Sequence, residues 1–254
     1  MLDIKTEQIR NLFKSKLLNE KFSIDKTGQK TIEVIGASFL ADEPSIFGTP
    51  NDDYINHEIL WYQSHSCNIN DIYSDEREPP KAWQLSANKY GEINSNYGCL
   101  IGSDKYYGQY GMALDELLYN KDSRRASMIY QRPSIWVEYE EDGKNDFICT
   151  NAVTYYIRND ELHAVVQMRS NDVWAGYRND YAWQLHVLEE LVHDYNSCKT
   201  DSYEEIKPGD IIWQAQNLHC YQKDFYLVDA AIKGHDTIKK SEYRELYPDS
   251  PYVK

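Results

Sequence analysis

The chain has 254 residues, of which 41% are hydrophobic and 27% are charged, a balance typical of a globular protein and not of a disordered or collagen-like chain. The formal net charge is −14, so the surface as a whole repels phosphate backbones and anionic lipid. We therefore expect no direct binding to nucleic acid and no membrane association. No stretch approaches the roughly 20 apolar residues of a membrane span, and the first residues lack the apolar core of a signal peptide. These features predict a cytoplasmic protein.

The cysteines are five in number, widely spaced and without a CxxC pair, which argues against a disulfide framework and against a zinc ribbon. We expect at least one free thiol and no bound metal. The cysteines are Cys67, Cys99, Cys149, Cys198 and Cys220.

The hydrophobic pattern predicts several helices and strands without strict alternation, which favours an α+β fold around one sheet. No repeat, low-complexity tract or Gly/Ser-rich linker divides the chain, so we expect a single domain over residues 1–254. The predicted helices are residues 4–19, Asp53–Ser64, Tyr110–Leu118 and Tyr181–Asp194. The predicted strands are Thr31–Phe39, Arg125–Tyr130, Phe147–Ile157, Leu162–Met168, Asp210–Trp213 and Tyr226–Val228, with a hairpin turn at residues 158–160.

The segment from Gln167 to Gly176 follows a predicted strand and precedes a predicted helix. Helix N-termini present unpaired N–H groups and Arg169 adds a guanidinium, so this junction suits an anion. Taken alone, an Arg-Ser-x-Asp turn is more typical of a helix cap. Cys149 lies about twenty residues upstream, and Asp180 follows shortly after.

Cys149, the run Arg169–Asp172, Gly176 and the polar residue Asp180 match the spacing of the nucleotide-binding core of the thymidylate synthase family, which this chain resembles. Further family landmarks follow one another in the expected order over most of the chain: Glu58–Tyr62, Trp83, Tyr97–Gly98, Arg124–Arg125 and His219–Tyr221. The resemblance implies a large mixed β-sheet flanked by helices, with the sheet packed across a homodimer interface.

Within that family the chain is most similar to the branch of phage deoxycytidylate hydroxymethylases. The segments that match this branch are Asp25–Gly28, Ile35–Phe39, Ala41–Pro44, Gly91–Gly98 and Met168–Trp183. This similarity implies a one-carbon transfer from 5,10-methylenetetrahydrofolate to dCMP, with addition of water, in an infected bacterial host. Phage enzymes of nucleotide synthesis are expected as possible partners.

The resemblance makes Cys149 the nucleophile, whose thiolate adds to C6 of the pyrimidine so that C5 attacks the folate methylene group. A nearby cation such as Arg169 would raise the thiolate fraction. Thymidylate synthases carry asparagine where this chain has Asp180. A carboxylate with two acceptor oxygens suits the 4-amino group and the protonated N3 of an activated cytosine, whereas an amide suits uracil.

The remaining roles come from the resemblance and divide between phosphate, sugar, proton transfer and folate. Lys26, Arg169 and Ser170 of one chain, with Arg124 and Arg125 of a second copy, would bind the 5′-phosphate. His219 and Tyr221 would bind the sugar 3′-hydroxyl. Glu58 would move protons. Asp172 would contact substrate and folate, Gly176 would border the folate, and Trp83 and Tyr97 would line the cavity.

Two other functions remain open from the residues. A methyltransferase acting on dCMP or dUMP shares the exocyclic methylene intermediate and differs only in whether hydride or water reaches that carbon. The C-terminal run Leu246–Lys254 contains two prolines and differs from the short apolar tail of synthases, which agrees with hydration. The other alternative is a non-catalytic, synthase-like scaffold within a nucleotide-synthesis complex.

Overall fold

A computed structural model describes residues 4–24, 28–73, 76–198, 205–235 and 237–253. The chain forms two compact units. Unit 1 comprises Met1–Pro50, Met168–Leu185 and Asp210–Lys254, and unit 2 comprises Asn51–Gln167 and His186–Gly209. The single domain expected over residues 1–254 stays a prediction.

Helices and strands follow one another without a repeating βαβ order, which confirms the α+β class. The helices are α1 Thr6–Leu18, α2 Asp52–Gln63, α3 Lys81–Ser86, α4 Tyr97–Gly102, α5 Gln109–Tyr119, α6 Ile135–Glu138, α7 Ala175–Cys198, α8 Phe225–Ile232 and α9 Lys240–Leu246. The strands are β1 Ser23–Ile24, β2 Lys30–Leu40, β3 Ser127–Ile129, β4 Thr150–Arg158, β5 Glu161–Met168, β6 Asn171–Asp172 and β7 Lys207–Tyr221.

Unit 1 contains strands β1, β2 and β7, which pair antiparallel in that order. The two-residue strand β6 pairs with β7 in parallel, so that Asn171 lies opposite Leu218 and Asp172 lies opposite His219. Parallel and antiparallel pairs therefore occur together, which makes the sheet mixed. This register brings the segment that precedes α7 beside the end of β7.

The helices of unit 1 cover apolar side chains of its strands. Ile9, Phe13 and Leu17 recur every four residues on α1 and are buried, because this face packs against β2 and α8. None of the helices in the described ranges has the length and apolarity needed to cross a bilayer.

Unit 2 contains strands β5, β4 and β3 in that order, with β3 antiparallel to β4. Asn159 and Asp160, between β4 and β5, both have positive φ, of 53° and 61°, as a tight hairpin turn requires. Helix α4 packs against α2 and α5, and α5 packs against β3. The elements that bear Glu58 and Tyr97 are therefore in direct contact.

The predicted helices over residues 4–19, Asp53–Ser64 and Tyr110–Leu118 are confirmed as α1, α2 and α5. The hairpin strands are confirmed as β4 and β5. The helix predicted over Tyr181–Asp194 is longer than expected, since α7 begins at Ala175.

The strand predicted over Tyr226–Val228 is wrong, because these residues lie in α8. Six of the eight residues of α8 are buried. The sequence pattern of a short apolar run does not distinguish a buried strand from a buried helix. The strand predicted over Asp210–Trp213 lies in the first half of the much longer β7, which extends to Tyr221. Cys198 is the last residue of α7.

Gly98 marks a contact between α4 and the end of α2 that leaves no room for a side chain. A Cβ atom there would lie 1.9 Å from the Tyr62 carbonyl oxygen and 2.4 Å from its carbon. These are backbone atoms, so the clash forces the two helices apart. We expect Gly98→Ala to lower the free energy of unfolding by at least about 2 kcal/mol, measured by urea denaturation.

Gly111→Ala in α5 is the matched control, because no heavy atom lies within 4 Å of the added Cβ. This variant should gain up to about 1 kcal/mol from the higher helix propensity of alanine. Equal stabilities for the two variants would contradict the close approach at Gly98.

Candidate active site

Glu58 lies on α2, whose first turn is capped by the Asn51 side chain, which accepts a hydrogen bond of 3.3 Å from the Tyr54 amide. Glu58 is only 5% exposed, although the sequence alone favours a solvated glutamate at this position. The structure therefore provides a buried carboxyl group where the family resemblance expects a proton carrier.

Three donors from unit 2 surround this carboxyl group. The Tyr54 hydroxyl donates to Glu58 Oε1, and Trp83 Nε1 lies 3.2 Å from the same oxygen and 2.8 Å from the Tyr54 hydroxyl. Tyr62 is also hydrogen-bonded to Glu58. Burial raises the pKa of Glu58 to about 7, and the three donors act in the opposite direction without cancelling it. The group is thus close to half-protonated at neutral pH, as a proton shuttle requires.

An aromatic cluster in unit 2 explains why the Glu58 side chain is buried away from solvent. Trp61 meets Trp83 edge to face at 5.2 Å and stacks on Tyr62 at 5.2 Å. Tyr62 in turn stacks on Tyr97 at 5.3 Å, and Tyr97 contacts Tyr130 at 5.2 Å. Trp83 and Tyr97, both expected to line the cavity, therefore lie in the cluster that encloses Glu58. Aromatic side chains exclude water over a large area, which is the physical cause of the raised pKa.

Cys149 lies one residue before β4 and is half-buried. Its thiol donates to the Phe147 carbonyl oxygen at 3.8 Å. The neighbouring Ile148 carbonyl accepts from Gln131 Nε2 at 2.9 Å, and Thr150 is fully buried. The backbone on both sides of Cys149 is thus held, while its sulfur stays partly accessible, as a nucleophile requires.

The other cysteines occupy different surroundings. Cys220 is buried, and burial raises the pKa of its thiol, whereas Cys198 is exposed. Cys67 and Cys99 are hydrogen-bonded to each other, and this bond lowers the pKa of Cys99. Neither Cys67 nor Cys99 lies on β4, the strand that follows Cys149. That these two thiols take no part in the reaction stays a prediction.

In unit 1, Asp172 and Gly176 form the junction between β6 and α7. The Asp172 carboxylate accepts hydrogen bonds from the Trp174 amide at 2.9 Å and from the Gly176 amide at 2.8 Å. A Cβ atom at Gly176 would lie 2.6 Å from Asp172 Oδ2, so glycine is required for this approach. The helix-cap interpretation of the turn is therefore correct for Asp172.

Asp180 follows Gly176 by one helical turn on α7 and is half-buried. The Asn171 amide donates to Asp180 Oδ2 at 2.7 Å. The sequence prediction singled out Asp180 but not its donor, because the two residues are nine positions apart and meet only through the fold of the β6–α7 junction.

His219 and Tyr221 lie two positions apart on β7, and their ring centroids are 4.7 Å apart. The two side chains therefore face the same side of the strand. Burial lowers the pKa of His219, the charge of Arg169 lowers it further, and Asp172 acts in the opposite direction. The imidazole is consequently neutral at pH 7 and able both to donate and to accept a hydrogen bond. Arg169 and Ser170, which precede β6, are both half-buried.

Arg124 and Arg125 are exposed and lie in the loop between α5 and β3. Arg125 is bound in this chain to Glu116, with Nε and Nη2 at 3.2 and 3.1 Å from Glu116 Oε1. A phosphate that recruits Arg125 therefore has to compete with this carboxylate. Lys26 lies outside the described residues.

The structure thus brings Glu58, Trp83 and Tyr97 together in unit 2, and brings Asp172, Gly176 and His219 together at the β6–β7 pair of unit 1. Sequence reasoning missed Tyr54 and Asn171. Tyr54 and Glu58 are four positions apart on one helix, and this spacing is the signal that identifies Tyr54 as a neighbour of the carboxyl group.

Glu58 should make the stability of the protein depend on pH. Its pKa is about 7 in the folded chain against an ordinary 4.5, so between these values the folded chain keeps a proton that the unfolded chain releases. Raising the pH through this window therefore lowers the free energy of unfolding, by about 3 kcal/mol in total. Urea denaturation between pH 4 and pH 8 should show this fall in the wild type and a smaller one in Glu58→Gln.

Glu189→Gln on the exposed face of α7 is the control, and its stability should follow the wild type over the same range. If Glu58→Gln also followed the wild type, the carboxyl group would not hold its proton to neutral pH.

The chain is similar to proteins of known families over nearly its whole length. The family model described as thymidylate synthase matches residues 7–241. A deoxycytidylate 5-hydroxymethyltransferase of enterobacteria phage T4 is 52% identical over 95% of this chain and 96% of its own length. The enzyme of the same name from phage T2 is 54% identical over 93% and 95%.

A solved structure supports the fold independently. The crystal structure of thymidylate synthase from T4 phage superimposes with a TM-score of 0.64, at 21% identity, over 84% of this chain and 76% of that one. The thymidylate synthase-like architecture expected from the motifs is therefore confirmed. The family model and the two phage relatives lead to one conclusion: this chain belongs to the thymidylate synthase family.

Proposed function

We propose that the protein is a deoxycytidylate 5-hydroxymethyltransferase, which converts dCMP, 5,10-methylenetetrahydrofolate and water to 5-hydroxymethyl-dCMP and tetrahydrofolate. Relatives that bear this name are 52% and 54% identical to the chain. The observation on which the proposal rests most is the carboxylate of Asp180, which accepts a hydrogen bond from Asn171. A carboxylate here distinguishes cytosine from uracil. The product would enter the synthesis of modified phage DNA.

Cys149 is the nucleophile in this proposal. Its thiolate forms a bond to C6 of the cytosine, and the electron pair displaced from the C5–C6 double bond makes C5 nucleophilic. The half-buried position of Cys149 and the hydrogen-bonded backbone around it support this role. The folate co-substrate supplies the one-carbon unit that C5 receives.

Asp180 recognises the base. A cytosine ring attacked at C6 presents its 4-amino group and a protonated N3, two donors side by side, to which the two oxygens of a carboxylate are complementary. The ground-state ring presents only one of these donors. Asp180 therefore binds the covalent adduct more strongly than free dCMP, and such differential binding accelerates the reaction.

Glu58 transfers protons. Its buried carboxyl group, with a pKa of about 7, exists in both protonation states at neutral pH and can therefore take up and release a proton within one catalytic cycle. Tyr54 and Trp83 hold the Oε1 atom in place, which fixes the direction of transfer. The half-buried Trp83 also offers an aromatic surface suited to stacking on the pterin ring of the folate.

The phosphate and sugar contacts complete the proposed site. Arg169, Ser170 and Lys26 bind the 5′-phosphate, with Arg124 and Arg125 supplied by a second copy of the chain. The exposure of Arg124 and Arg125 supports this homodimeric arrangement. His219 and Tyr221 bind the 3′-hydroxyl, for which the neutral imidazole of His219 is suited.

The C-terminal segment supports hydration in preference to methylation. The Tyr243 hydroxyl lies 2.7 Å from Ser250 Oγ, and Arg244 Nε donates to the Val253 carbonyl at 3.0 Å. These contacts hold the C-terminal segment around Ser250 and Val253 against α9. A tail held in this way is not available to seal a reaction site against water, as the synthase tail does.

Mass analysis of the product tests the proposal. Incubation with dCMP and 5,10-methylenetetrahydrofolate should give a nucleotide heavier by one hydroxymethyl group, without the rise in absorbance near 340 nm that accompanies dihydrofolate formation. Cys149→Ser should abolish both the product and tritium release from 5-tritiated dCMP, whereas Cys198→Ser, at an exposed site, should not.

A 5-methyl product together with dihydrofolate would establish a methyltransferase and overturn the proposal. Absence of tritium release from the wild type would favour a non-catalytic scaffold.

Asp180→Asn should shift the substrate preference from dCMP toward dUMP, because an amide offers uracil the acceptor and donor that it needs. Loss of one charge-assisted hydrogen bond corresponds to a fall of between about tenfold and a hundredfold in kcat/KM for dCMP. Tritium release from the two 5-tritiated nucleotides measures the ratio. An unchanged ratio would refute the role assigned to Asp180.

A further inference from the structure

We infer that Asn171 is a positioning residue that sets the charge and orientation of the Asp180 carboxylate, and thereby the preference for cytosine. This inference rests on the function proposed above. It starts from the hydrogen bond of 2.7 Å that the Asn171 amide donates to Asp180 Oδ2. A donated hydrogen bond favours the ionised form of a carboxylate. Recognition of a cytosine amino group needs that form, because a protonated carboxyl would oppose one donor with another.

The surroundings of Asn171 fix its position. The side chain is only 3% exposed, and β6 holds its backbone beside Leu218 of β7. A Cβ atom at Gly176 would lie 3.2 Å from Asn171 Nδ2, so the amide rests directly against the first turn of α7. Gly176 and Asp180 are four positions apart and share one face of that helix. The missing side chain at Gly176 thus leaves the space through which Asn171 reaches Asp180.

The Oδ1 atom of Asn171 shows that the amide is oriented toward Asp180. Oδ1 of Asn171 is buried and has no hydrogen-bond partner among the described residues. An amide that only supports the fold normally has both ends paired. Here the NH2 group faces the carboxylate even though Oδ1 remains unpaired, since the reverse orientation would place oxygen against oxygen. The arrangement therefore presents a donor to an acceptor oxygen of Asp180, which favours the ionised carboxylate.

A double-mutant cycle tests this inference. Asn171→Ala should lower kcat/KM for dCMP by between about tenfold and a hundredfold, with a smaller loss for dUMP. In an Asp180→Asn background the same substitution should have little further effect on the dCMP to dUMP ratio, because the carboxylate that Asn171 positions is gone. A purely structural Asn171 would instead give additive losses. Tritium release from both 5-tritiated nucleotides supplies the four rates.

The pH dependence of kcat/KM gives a second signature. Asn171→Ala should lose activity on the acid side at a higher pH than the wild type, because an Asp180 carboxylate without its donor is protonated more readily. Asn171→Asp preserves the shape but places two carboxylates together. It should recover activity on acidification, when the introduced carboxyl group takes up a proton and can donate as the amide did. Arg169, Asp172 and His219, the charged and titratable groups near this junction, are unchanged in both variants.

Asn217→Ala is the matched control, since Asn217 also donates an amide hydrogen bond to a carboxylate, that of Glu33 at 2.9 Å, and not to Asp180. It should leave the nucleotide ratio and the pH profile unchanged. If Asn171→Ala does not fold, the similarly shaped Asn171→Asp replaces it in the cycle.

The wild type and Asp180→Asn, measured in the same series, test the proposed function independently of the inference about Asn171. Normal wild-type activity and a normal shift in Asp180→Asn, combined with additive losses and unshifted pH profiles in the Asn171 variants, would overturn the inference about Asn171 alone.

Discussion

The close contact between β6 and the first turn of α7 is the constraint on which the base-recognition half of the proposed site depends. Gly176 has no side chain, so Asp172 can accept hydrogen bonds from the helix amides and Asn171 can reach Asp180. The two neighbouring side chains of β6 therefore have different tasks. Asp172 fixes the helix start, and Asn171 contacts the carboxylate one turn further along. Both depend on the parallel pairing of β6 with β7.

Glu58 illustrates how packing changes the chemistry of an ordinary residue. Trp83 and Tyr62 are hydrogen-bonded to its carboxyl group, and Trp61 packs against both rings. Burial in this cluster raises the pKa of Glu58 toward neutrality. The hydrogen bonds from Tyr54 and Trp83 partly oppose this effect and keep the group oriented. Part of the unusual tyrosine content, 22 residues, therefore serves this one environment, with Tyr54, Tyr62 and Tyr97 all in or beside it.

The net charge of the chain does not describe the charges around individual groups. A chain of net charge −14 should repel a nucleotide and a folate, yet single groups respond to their own surroundings: burial lowers the pKa of His219, and the charge of Arg169 adds to that effect. Arg125 is exposed but paired with Glu116, so its contribution to an anion site depends on exchange of partners. We expect the acidic surface to repel polyanions such as DNA, whereas in the proposed site a few cations suffice for a mononucleotide.

The sequence by itself determined the α+β class and helices such as α1 and α5, because hydrophobic periodicity is a local property of the chain. Its resemblance to a known family indicated Cys149, Glu58 and Asp180 as candidate site residues. The hydrophobic pattern failed for α8, since a buried apolar run does not distinguish helix from strand. Only the tertiary structure decided that Glu58 is buried away from solvent and that Asn171 contacts Asp180. Burial and hydrogen bonding between distant residues depend on which elements pack together, and no local pattern encodes that.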